Sequence, residues 1–76
     1  MKCAVRVVAP GDDRAYDEAE WRGALVVVRS GEIELCGVSG ACASFGRGDL
    51  LYLEGVPLRA LRNPGSEPAV LVAVSR

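Results

Sequence analysis

Apolar residues come in short runs along the chain, each soon ended by glycine, proline or a cluster of charges. Residues 3–9 (Cys-Ala-Val-Arg-Val-Val-Ala) predict a first strand, stopped by Pro10-Gly11. Residues 24–29 (Ala-Leu-Val-Val-Val-Arg) are apolar without alternation until the final arginine, which predicts a strand covered on both faces. Ser30-Gly31 turns the chain. Residues 32–36 then alternate, so Ile33 and Leu35 face one way while Glu32 and Glu34 face water, and Cys36 points away from the interior. Gly37-Val38-Ser39-Gly40 reads as a hairpin loop, residues 41–45 as the returning strand, and Gly46-Arg47-Gly48-Asp49 as a second tight turn. Residues 50–53, 58–62 and 69–74 complete the set, the last two separated by the turn Asn63-Pro64-Gly65. About seven short strands at this spacing predict an all-β sandwich or barrel. The exception is residues 12–22, where Asp12, Asp13, Asp17, Glu18 and Glu20 hold half of all the acids. This stretch reads either as a short helix capped by Asp12 or Asp13 or as an exposed loop, with the loop preferred.

Composition narrows the picture. With 76 residues, half of them apolar, the chain (1–76) is expected to form a single domain. No apolar run reaches the roughly 18 residues of a membrane span, and no secretory signal is expected, because Arg6 interrupts the first apolar stretch. A cytoplasmic location follows as the expectation. The net charge of −1 argues against a nucleic-acid partner bound by phosphate neutralisation. Histidine is absent, which removes Ser-His-Asp and Cys-His catalysis and every His-ligated metal site. The three cysteines, Cys3, Cys36 and Cys42, are odd in number and lack CxxC spacing. They read as reduced thiols, with an inter-strand Cys36–Cys42 pair as the alternative. A domain this small buries little surface, so a homodimer is expected.

Three segments together resemble the cupin superfamily. Leu25-Val26-Val27-Val28-Arg29-Ser30-Gly31-Glu32-Ile33-Glu34-Leu35 is similar to its first sequence block, a strand, a glycine turn and a Gly-Glu-hydrophobic-Glu-hydrophobic strand. Phe45-Gly46-Arg47-Gly48-Asp49-Leu50-Leu51-Tyr52-Leu53 resembles the opening of the second block, and Arg62-Asn63-Pro64-Gly65-Ser66-Glu67-Pro68-Ala69 its close. The resemblance covers about two-thirds of the chain. It implies a small double-stranded β-helix, a jelly-roll barrel of about seven short strands, often dimeric.

The family's metal ligands are two histidines and a glutamate from the first block and a histidine from the second. Counted back from Gly31, the glutamate falls on Ala24, and the histidine pair on Glu18 and Glu20 or on Asp17 and Ala19. The last histidine falls on Arg59, or on Leu58 with a one-residue slip, while the family's asparagine matches Asn63. Alanine and leucine have no donor, and arginine stays protonated with no lone pair to give. No metal and no cofactor are therefore expected. If Arg59 faces inward it needs a carboxylate such as Glu20 or an anionic ligand; if Leu58 faces inward, Arg59 is an ordinary solvated arginine. Trp21 either stacks on a ligand at the barrel mouth or seals the end of the core. The expected pocket is chiefly apolar, lined by Val26, Val28, Leu35, Phe45, Leu51 and Leu53, with Arg59, Glu20 and Trp21 as further candidates. No catalytic residue is identified. The reading is a non-catalytic module that binds or senses a small anionic or apolar molecule, with a filled structural subunit as alternative and a metal-independent enzyme third.

Overall fold

The computed structural model describes residues 1–76. Eight strands follow one another as β1 (Lys2–Val8), β2 (Asp13–Ala15), β3 (Leu25–Ser30), β4 (Glu32–Gly37), β5 (Cys42–Gly46), β6 (Leu50–Tyr52), β7 (Leu58–Arg62) and β8 (Ala69–Ser75). One helical turn, α1 (Glu18–Trp21), lies between β2 and β3. The strands form two four-stranded sheets, ordered β1-β8-β3-β6 and β2-β7-β4-β5, with every pairing antiparallel. This is a small β-sandwich and not the closed barrel expected. The edge strands β2 and β6 have three residues each, too short to carry ladders on both sides.

The seven strands read from the sequence are present, and the eighth, β2, falls in the acidic stretch where a loop was preferred. So does α1. Asp17 caps this turn by accepting from the Ala19 amide at 3.1 Å, and Glu18 pairs with Arg22 one turn on. The acids that made the stretch look like solvated loop are its cap and its ion pairs.

Alternation places the core between the sheets. Val26 and Val28 of β3, Ile33 and Leu35 of β4, Leu61 of β7 and Leu71 of β8 are buried there, joined by Trp21. Gly31 makes the β3–β4 corner possible. Its φ is +76°, and a Cβ there would press on the Pro68 carbonyl and come within 2.8 Å of Ala69 Cα. Asn63, the one buried polar residue, fastens another corner. Its amide donates to the carbonyls of Val8 (2.9 Å) and Glu67 (2.7 Å), and its Oδ1 accepts from the Gly65 amide.

The outer faces of the two sheets differ. On the β2-β7-β4-β5 sheet, register sets Asp13, Arg62 and Glu34 in one row, with Arg62 donating to Glu34 at 2.9 and 2.6 Å. That hydrogen bond, with the nearby negative charge, raises the Arg62 pKa. The next row joins Ala15, Ala60, Cys36 and Cys42. Cys36 and Cys42 stand directly opposite each other, with Cα atoms 4.1 Å apart, and form a disulfide. This corrects the reading of three reduced thiols; only Cys3 is free. The cause is register: a hairpin that pairs Gly37 with Ala41 brings the two thiols side by side.

The outer face of the β1-β8-β3-β6 sheet is mostly apolar, with Arg29 and Ser30 at the end of β3. One row runs Val5–Val72–Val27–Leu50, a second Cys3–Val74–Leu25–Tyr52, and a third Val7–Val70–Ser30. Val5, Leu25, Leu50 and Tyr52 are exposed. The unbroken run at 24–29 therefore does not mark a strand covered on both faces within one chain.

Candidate functional site

The sandwich is closed along one edge and open along the other. At the closed edge, Arg14 of β2 donates to the Val7 carbonyl of β1 at 2.7 Å and so links the two sheets. Arg6 of β1 shares the inward face of its strand with Val8 and lies 3.3 Å from Glu20 of α1. Its Nε is shielded from solvent and makes no hydrogen bond, so the nearby carboxylate charge is what compensates it. Trp21, 2% exposed, fills the space beneath α1.

At the open edge an apolar cleft of about 470 Å³ lies between β5 and β6. Its cause is side-chain size. Register puts Ala43 and Phe45 of β5 on the inward face with Leu35 and Ile33, and Ala43 is too small to reach the facing sheet. Leu51 and Leu53 form the opposite wall; Val56, Pro57 and Leu58 close one end with the hairpin residues Gly37, Ser39 and Ala41. Fourteen residues line the cleft and none carries a charge. The polar side chains within reach are the Ser39 hydroxyl and the Tyr52 phenol, which donates to Glu54 at 2.7 Å. That bond, and the charge of Glu54, raise the Tyr52 pKa above its ordinary 10.0. Tyr16, packed against the core near the closed edge, is raised first by burial and then by Glu18 and Asp17.

Of the residues expected to line a pocket, Leu35, Phe45, Leu51 and Leu53 meet in the cleft. Val26 and Val28 do not; they are fully buried in the packed middle of the sandwich. Trp21 seals the core instead of facing a ligand. Glu20 is paired with Arg6, not with Arg59. A bulge in the β4–β7 ladder sets Leu58 opposite Gly37, so Leu58 packs against the core while Arg59 is exposed. Arg59 borders a shallow hollow with Ala60 and Arg62 on the outer side of its sheet, away from the cleft. Of the positions matched to metal ligands, Ala24 is buried, Leu58 faces the core, and Glu18 is held by Arg22 at 3.1 Å. Elsewhere, donor atoms of Glu34, Cys36 and Cys42 lie within 4.8 Å of one another. The two sulfurs are bonded to each other and Glu34 is held by Arg62, so these donors are already engaged.

Sequence reading missed Ala41, Ala43, Val56 and Pro57 as site residues. The signal was present at residues 41–45: small side chains alternating onto an inward face leave room where a core would otherwise be filled. No protein-family model matches the chain, and no curated protein matches it.

Proposed function

We propose that the chain is a cupin-like jelly roll without the family's metal site, and that it binds a small uncharged apolar molecule in the cleft between β5 and β6. The strand order supports the fold reading. Sheets ordered β1-β8-β3-β6 and β2-β7-β4-β5 are what eight strands give when wound as two Greek keys. The observation that carries the binding reading is an open cleft of about 470 Å³ with no charged lining. Its volume falls within the range of small-molecule sites. At roughly 30 Å³ per water-sized group it holds on the order of fifteen non-hydrogen atoms. An anion would enter without a cationic partner, and the desolvation cost argues against it. The ligand is then a flat or branched apolar molecule stacked on Phe45, with one polar group toward Ser39.

The packed middle of the sandwich favours the second reading, a structural subunit, because Val26, Val28 and Ile33 leave no internal space there. Titrating 2-naphthol into labelled protein, followed by amide NMR, separates the two. Binding in the cleft shifts Leu35, Ala43, Phe45 and Leu53 together in a saturable way. Absent or unsaturable shifts, or shifts confined to other surfaces, contradict the binding reading.

A further inference from the structure

We propose that the Cys36–Cys42 disulfide is a reversible switch on the wall of the β5–β6 cleft: a small-molecule thiol opens it through Cys42, and the opened form holds the cleft's ligand more weakly. The second half rests on the cleft being a binding site; the first does not. The bond joins two strands that are already paired. Leu35 stands opposite Ala43 on one side of it, and on the other the Gly37 amide donates to the Ala41 carbonyl at 2.8 Å. A disulfide that stabilises by shortening the unfolded chain does least over a short separation, here six residues. It lies on the outer face of its sheet, and neither cysteine belongs to the apolar core cluster. What it ties down is an edge. β5 is the last strand of its sheet, paired only with β4, and Ala43 and Phe45 on its other face line the cleft.

The two sulfurs differ in access. Cys42 is exposed on the edge strand, whereas Cys36 is fully buried. A thiolate therefore attacks Cys42 Sγ. A new S–S bond forms there, the Cys36–Cys42 bond breaks, and its electron pair leaves on Cys36 Sγ, which takes a proton from water. A second thiol attacks the small-molecule sulfur of the mixed disulfide and frees Cys42 as a thiol. Two small thiols have become one small disulfide, and the protein has gained two electrons and two protons. An acceptor for the buried thiol is already in place. Glu34 Oε1 lies 3.8 Å from Cys36 Sγ, and Arg62 holds the same oxygen at 2.9 and 2.6 Å. The reduced form thus has a hydrogen bond that the disulfide cannot make, which favours opening. The flanking ladder keeps the two thiols side by side, with Cα atoms 4.1 Å apart, so the bond re-forms when a small-molecule disulfide is supplied. Without the bond, the end of β5 at the cleft is held by its ladder alone, and a ligand must order a looser wall.

Equilibration of the native protein with mixtures of reduced and oxidised glutathione, followed by alkylation and mass spectrometry, tests the switch. A Cys3→Ser background removes the one other thiol, which is exposed. The dithiol and disulfide forms are expected to interconvert without urea and to share one circular dichroism spectrum. In 2-naphthol titrations the dithiol form is expected to bind about fivefold more weakly or worse, the lower end of coupling between linked sites. With oxidised glutathione, Cys36→Ser is expected to carry a mixed disulfide at Cys42, while Cys42→Ser leaves Cys36 unmodified. A bond that opens only in urea, or a dithiol form that loses the native spectrum, marks a structural staple and overturns the inference. So does equal modification of the two single-cysteine variants. Equal 2-naphthol affinity in the two forms overturns the switch and leaves the binding reading standing. If neither form binds, the binding reading itself fails and the switch falls with it.

Discussion

The two edges of the sandwich are built from the same kind of strand and end differently. Where β1 and β2 meet, long side chains bridge the gap: Arg14 reaches the Val7 carbonyl, Arg6 meets Glu20, and Trp21 fills the space under α1. Where β5 and β6 meet, the short side chains of Ala41 and Ala43 line a cleft instead, and the strands are tied at their turn, where the Gly46 amide donates to Asp49. Whether this small two-sheet protein has a closed edge or an open cleft is thus set by a few side chains on its edge strands, not by its topology.

The largest expected effect comes from breaking the closed edge. Trp21→Ala is expected to cost about 3–5 kcal/mol. That is a large share of the total for 76 residues at about 0.05–0.15 kcal/mol each, and thermal denaturation should show a loss of cooperative folding. Asn63→Ala leaves the Val8 and Glu67 carbonyls and the Gly65 amide without their partner. At about 1–3 kcal/mol for each buried group left unsatisfied, and with water reaching part of the site, urea unfolding is expected to show a loss of about 3 kcal/mol. Reducing the disulfide opens a link across only six residues of sequence separation and is expected to cost about 2 kcal/mol. That loss should appear at the open edge, as faster amide exchange in residues 41–45 with little change near Trp21.

Filling the cleft has the opposite profile. Ala43→Trp is expected to change stability by less than about 1 kcal/mol, since the position is exposed, yet to abolish saturable 2-naphthol shifts. Calorimetric melting and the NMR titration check the two halves of that statement. The smallest effect is electrostatic. Tyr16 and Tyr52 should both titrate above 10.0, so their contribution to stability is present below that pH and is lost as pH rises through the folded-state values. Glu54→Gln should lower the Tyr52 value toward 10.0 and leave Tyr16, whose shift comes first from burial, unchanged. Tyrosinate absorbance with and without Tyr16→Phe distinguishes them.

Much of this architecture was legible in the residues. Alternation at Ile33 and Leu35 and the glycine and proline turns placed seven strands, because those signals are local. The strand β2 was not, since Asp13-Arg14-Ala15 has no apolar pattern and becomes a strand only by pairing with Arg62, Leu61 and Ala60. The disulfide depended on hairpin register, which composition does not carry. Of the residues expected to line a pocket, Leu35, Phe45, Leu51 and Leu53 lie at the open edge. Val26 and Val28 look identical in sequence to those four, and only the facing sheet decides that they are packed over. Arg59 drew interest as a possible buried charge, and a one-residue bulge beside Leu58 turned it outward. The unbroken apolar run of β3 was read as covered on both faces. Within one chain it is covered on one, with Leu25 exposed on the other.

The central claim is that the β5–β6 cleft is a binding site for an uncharged apolar molecule. A crystal structure of the protein soaked in 2-naphthol tests it most directly. The account predicts the ring against Phe45 and between Ala43 and Leu53, with the sandwich otherwise unchanged. A cleft closed by inward movement of Phe45, or a ring bound only elsewhere on the surface, would contradict it.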